Sequence, residues 1–158
     1  MSAGPLDETW EGWTARIAAD LAALTEEDWM TFAVHVTSRA SSTYAAERAP
    51  RGWRRGRSRT SHTARVPDVF FQVRRLEGLL ALECIGDTEF EGLTDLTTAQ
   101  QAALADLGWE RDSREPEFSR TFAGNEQAAA AHLLRSSLED VLGAGSPTDV
   151  DMRRAPRR

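Results

Sequence analysis

Val69-Phe70-Phe71-Gln72-Val73-Arg74-Arg75-Leu76, then Glu77-Gly78, then Leu79-Leu80-Ala81-Leu82-Glu83-Cys84-Ile85 is the stretch on which the fold turns. Val69, Phe71 and Val73 alternate with Phe70, Gln72 and Arg74, the period of two that places successive side chains on opposite faces of a strand. Leu80, Leu82 and Cys84 repeat the alternation against Leu79, Ala81 and Glu83. The dipeptide Glu77-Gly78 between the runs is of the kind that closes a tight antiparallel hairpin. Both faces of this pair carry apolar groups. Either helices cover both sides, or one face is left open for a partner or a second subunit.

Toward the N-terminus, Met30, Phe32, Val34 and Val36 alternate with Thr31, Ala33 and His35, which predicts a first strand. Before it, Leu6, Trp10, Trp13, Ile17, Leu21 and Leu24 recur at steps of three and four. That spacing predicts an amphipathic helix from about Asp7 to Leu24. Toward the C-terminus, Thr97 with Gln100 three residues on has the form of a capping box. It opens a helix to about Leu107, with Gly108 in the left-handed closing position and Trp109 folded back on Leu104. Phe118, Arg120 and Phe122 predict a short strand. Asn125 is placed to cap a last helix carrying Leu134, Leu138, Val141 and Leu142. The expected architecture is α+β: helix, three antiparallel strands, helix, one or two strands, helix.

The 158 residues suit a single domain, expected over 1–144. The segment 37–66 reads as a mobile Arg-rich insertion, because it is rich in Ser, Ala and Arg and shows no apolar period. The segment 145–158 reads as a disordered basic tail. An apolar content of 41% with 28% charged residues is that of a globular chain. No run approaches the roughly 18 apolar residues of a membrane span, and the N-terminus lacks the order of a signal peptide. A cytoplasmic protein is expected. The single cysteine, Cys84, excludes an intramolecular disulfide and lies within an apolar strand as a buried thiol would.

The net charge of -6 is unevenly spread. Residues 48–65 hold seven Arg and no acid, and the last six residues hold four more, against an otherwise acidic body. All 19 basic residues are Arg, which fits genome composition better than selection at each site.

Enzymatic chemistry finds little support. His35, His62 and His132 lack the spacing of a zinc set, no serine stands in a nucleophile elbow, and no Gly-rich phosphate loop is present. The pairs Glu89 with Glu91 and Glu139 with Asp140 fit solvated surface carboxylates better than an acid and base couple. Neither catalytic residues, nor a metal, nor a cofactor is expected. Trp53, Arg54, Arg55, Arg57 and Arg59 do have the make-up of a polyanion-binding arm, with guanidiniums for phosphates and an aromatic ring for a base. Nucleic acid is therefore the alternative partner, opposed by the acidic remainder.

The Phe71-Gln72 strand, the strand bearing Glu83 and the Leu107-Gly108-Trp109 helix ending together resemble a known family. It is the group of type III secretion chaperone-like and YbjN-like domains called TY-Chap, common in high-GC actinobacteria. The resemblance spans roughly Leu6 to Gly143. It implies a non-enzymatic, commonly homodimeric domain that binds peptide segments of client proteins, with a partner surface at Phe70, Gln72, Ala81, Glu83 and Trp109. The Arg-rich segment between the first two strands and the stretch Arg111 to Glu117 depart from the family pattern.

Overall fold

The computed structural model describes residues 8–34, 69–86, 96–111 and 118–156. The expected Arg-rich insertion, with Trp53 and Arg54 to Arg59, lies outside the described residues, as do His35, His62, Glu89 and Glu91.

Helix α1 (Trp10–Ala22) begins where Thr9, in extended conformation, accepts a hydrogen bond from the Gly12 amide at 3.1 Å. Its residues Trp13, Ile17 and Leu21, each four apart, are buried. Strands β1 (Asp28–Val34), β2 (Val69–Leu76) and β3 (Leu79–Gly86) follow as an antiparallel meander. Leu76 pairs directly with Leu79, and both loop residues have positive φ, Glu77 at 50° and Gly78 at 78°. This is the type I′ geometry whose twist matches a hairpin.

Helix α2 (Thr98–Leu107) carries both halves of the capping box at Thr97. At its far end Gly108 has φ 103°, its amide donates to Ala105 O, and the Trp109 amide donates to Leu104 O. That pair of bonds is a Schellman ending. Strands β4 (Glu110–Arg111) and β5 (Phe118–Phe122) come next, then helix α3 (Gln127–Ser136), which continues as a π-helical turn over Ser137–Val141. The last helix does not start as expected. Glu126, not Asn125, occupies the cap, and its carboxylate accepts from the Ala123 amide instead of capping the helix through its side chain.

The expected disordered tail is also corrected. After a 3-10 turn at Pro147–Asp149, residues Val150–Pro156 form strand β6, antiparallel to β1 along its whole length from Val34↔Val150 to Asp28↔Pro156. Apolar periodicity could not reveal it, because its stabilisation comes from the main-chain groups of an otherwise unpaired β1 edge. Val150 and Met152 pack on the core margin, while Arg154 donates to Asp28 Oδ2 at 2.7 Å and to Ala23 O at 3.3 Å.

The six-stranded sheet has the order β4-β5-β3-β2-β1-β6. One face is apolar: Met30, Phe32, Phe71, Val73, Leu80, Leu82, Cys84 and Phe118 are buried there with Trp13, Ile17, Leu21, Leu104, Leu134 and Leu138 of the helical layer. The fold is α+β, with an antiparallel sheet and helices, as the alternation and the helical stripes required.

Candidate functional site

Strand register assembles the other face row by row. Leu76 and Leu79 stand at the hairpin end. Next come Ala155, Trp29, Arg74, Ala81 and Thr121 across five strands. Then come Arg153, Thr31, Gln72, Glu83 and Ser119, and last Asp151, Ala33, Phe70 and Ile85.

Of the five residues expected at a partner surface, Phe70, Gln72, Ala81 and Glu83 share this face, all of them half-buried. Trp109 does not. It is buried at 4% exposure on the helical side, where its ring stacks on Phe71 at 5.3 Å and its Nε1 donates to Ser137 Oγ at 2.8 Å. The glycine that closes α2 turns this side chain inward, so Trp109 supports the sheet from beneath.

The face divides by chemistry. At its centre Glu83 accepts from Arg74 Nη2 at 3.2 Å and from Gln72 Nε2 at 3.4 Å, a diagonal and a direct cross-strand contact. These charges are partly solvated, so the pair is a weak stabiliser at the polar centre of the face. At the hairpin end the picture reverses. The exposed large apolar side chains among the described residues are Trp29 at 39%, Leu76 at 41% and Leu79 at 44%. By strand alternation all three belong to this one face, around Arg74 and Ala81. Alternation in the sequence already sets Leu79 on this face with Phe70, Gln72 and Ala81, though not among the expected partner residues; sequence reasoning passed over Trp29 and Leu76, although Leu76 flanks the turn and Trp29 falls on the polar side of an alternating strand.

The hairpin end is rigidly mounted. Arg75, on the opposite side of β2 from Arg74, donates to Leu24 O at 2.8 Å, Leu21 O at 3.0 Å and Gly124 O at 3.4 Å. A guanidinium thereby satisfies carbonyls at the end of α1, where a positive charge is favoured. Among the described residues, no three His, Cys, Asp or Glu side chains converge as a metal site would. No helix among them is long and apolar enough to cross a membrane.

A face with apolar residues at one end, hydrogen-bonding groups at its centre and a rigid frame suits an extended or unfolded polypeptide. Comparison with protein families matches residues 3–155 to the model described as T3SS (YopN, CesT) and YbjN peptide-binding chaperone 3, TY-Chap3. The chain belongs to the TY-Chap3 family. The family is one of peptide-binding chaperone domains, and its match covers every element from α1 to nearly the end of β6. Comparison with curated proteins and with solved structures gives no match.

Proposed function

We propose that this TY-Chap3 domain is a non-enzymatic chaperone that holds unfolded segments of a client protein on the sheet face opposite its helices. The observation that carries the reading is the convergence of Trp29, Leu76 and Leu79 on that face, beside the polar row of Gln72 and Glu83. A monomeric surface does not usually gather its exposed large apolar side chains in one patch without a partner. Apolar side chains of a client would cover Trp29 and the two leucines, and Phe70, Gln72, Ala81 and Glu83 would line the remainder. Trp109 has only a supporting part. The same reading has the domain working in the cytoplasm and as a homodimer, since a patch of this kind suits a second copy as well as a client.

The test is fluorescence anisotropy of a labelled, permanently unfolded polypeptide titrated with the chain, at low and high salt. Phe70→Asp and the pair Trp29→Ser with Leu79→Ser should each weaken binding at least tenfold while far-UV circular dichroism stays unchanged. Binding should tolerate salt and survive neutralisation of Arg54, Arg55, Arg57 and Arg59. A steep salt dependence with loss on that neutralisation would overturn the proposal in favour of a polyanion-binding arm. Folded face variants that become monomeric yet bind the polypeptide normally would make the face a subunit interface.

A further inference from the structure

Strand β6 occupies the edge of β1, and its mode of attachment carries a second assignment. We propose that the β1 edge is itself a peptide site, distinct from the sheet face, and that β6 is its resident, displaceable occupant. The proposal builds on the peptide-binding reading and names the segment chemistry that this edge takes.

Among the described strands, β6 has β1 as its only neighbour in the sheet. None of its seven side chains is buried, whereas Met30, Phe32 and Ala33 of β1 are. Its hold therefore rests on main-chain hydrogen bonds, which any extended segment supplies, and on three side chains facing the helical layer. Val150 opposite Val34 and Met152 opposite Phe32 touch the core margin, and Arg154 opposite Met30 reaches Asp28 and Ala23 O. The edge does not depend on them for its shape. Phe32 is held edge-on by Trp13 at 6.0 Å, and β1 is paired to β2 along Trp29 to Ala33.

The connection to α3 is short and anchored ahead of β6, where Ala144 and Pro147 are buried, so that it can stay in place while Val150–Pro156 leaves the edge. It runs through Gly143, at φ 75°, and Gly145, to one 3-10 turn closed by the Ser146 and Asp149 capping box. Short tethering gives β6 a high effective concentration, so an outside segment competes only if it reproduces the same pattern. That pattern is an extended segment, antiparallel to β1, with apolar side chains at positions i and i+2 and an arginine at i+4.

The experiment uses the full chain carrying Val34→Cys and Val150→Cys, directly opposed across β1 and β6 at the margin of the helical side and off the proposed client face, at a spacing that a disulfide spans. Two probes are titrated. One is a labelled peptide of residues 148–156, and the other is a reduced, carboxymethylated unfolded protein. The peptide should bind the reduced chain, lose at least tenfold in affinity on oxidation and regain it with reductant. A peptide with Val150→Ser, Met152→Ser and Arg154→Glu should bind at least tenfold more weakly. In the chain itself, Arg154→Ser should raise affinity for the unaltered peptide severalfold, because it loosens the occupant and leaves Asp28 in place. Binding of the carboxymethylated protein to the face should not change with the lock. Equal peptide affinity in locked and unlocked chains, or no peptide binding while the carboxymethylated protein binds, overturns the edge site and leaves the face reading standing. Failure of both probes overturns both.

Discussion

Trp109 joins three parts of the molecule through one side chain: its ring stacks on Phe71 of β2, its amide closes α2, and its indole N–H reaches Ser137 in the π-helical turn after α3. Ser137 is fully buried and also donates to Leu133 O at 2.7 Å, so both polar groups are satisfied without water. Trp109→Phe keeps a stacked ring and removes one hydrogen bond, with an expected cost of about 1–2 kcal/mol. Trp109→Ala also leaves a cavity and should cost about 3–5 kcal/mol in urea denaturation. Neither change should alter client affinity at temperatures where the variant is folded, which separates a supporting residue from a contact residue. Glu8 makes a second prediction at this scale. Two hydrogen bonds from Arg16, at 2.8 and 2.9 Å, hold its carboxyl below the ordinary value of 4.5 against the opposing effect of burial. A lowered folded-state value stabilises the fold above the ordinary pKa, and that stabilisation fades as pH falls through the folded value. Glu8→Gln should therefore be less stable than the parent near neutrality, by about 0.5–1 kcal/mol for a pair of this exposure. Denaturation midpoints measured from pH 7 downward should converge below pH 4.5.

At the scale of elements, local chemistry and long-range contact divide what the sequence discloses. The β2–β3 hairpin, the Thr97 capping box and the Gly108 ending are all legible, because each depends on residues no more than a few positions apart. Strand β6 is not, since what makes Val150–Pro156 a strand is the open edge of β1, more than a hundred residues earlier. Arg75 escapes for the same reason: in sequence it resembles Arg74, yet one points to solvent and Glu83 while the other caps α1. The candidate face was partly legible. Alternation put Phe70, Gln72, Leu79, Ala81 and Glu83 on one side, but the exposure of Trp29, Leu76 and Leu79 together required knowledge of which face the helices cover. Gly124 shows a further contact of this kind. A Cβ added there would collide with the backbone carbonyl of Gly78, so the β5–α3 turn lies directly against the β2–β3 hairpin. Backbone cannot yield as a side-chain end does. Gly124→Ala should destabilise by about 1–3 kcal/mol in thermal or urea unfolding and disturb Arg75, whose Nη1 donates to Gly124 O.

Across the whole molecule, stability should fall from the centre of the sheet toward β6. β2 and β3 lie at the middle of the strand order, and their inward residues Phe71, Val73, Leu80, Leu82 and Cys84 are completely buried. β6 buries no side chain, and its principal ion pair, Arg154 with Asp28, is open to solvent and worth little by itself. Regions with few buried apolar contacts open before the global unfolding transition, as separate cooperative units. Native-state hydrogen exchange should therefore find β6 amides exchanging through a small opening while β2 and β3 amides wait for global unfolding. β1 makes the prediction sharp, because its amides divide between two neighbours. Those donating to β6 should exchange together with β6, and those donating to β2 should stay protected, within a single strand. If all β1 amides exchanged at one rate, equal to that of β2, then β6 would be an integral part of the folded unit, and its attachment would owe more to the margin contacts of Val150 and Met152 than their partial burial implies.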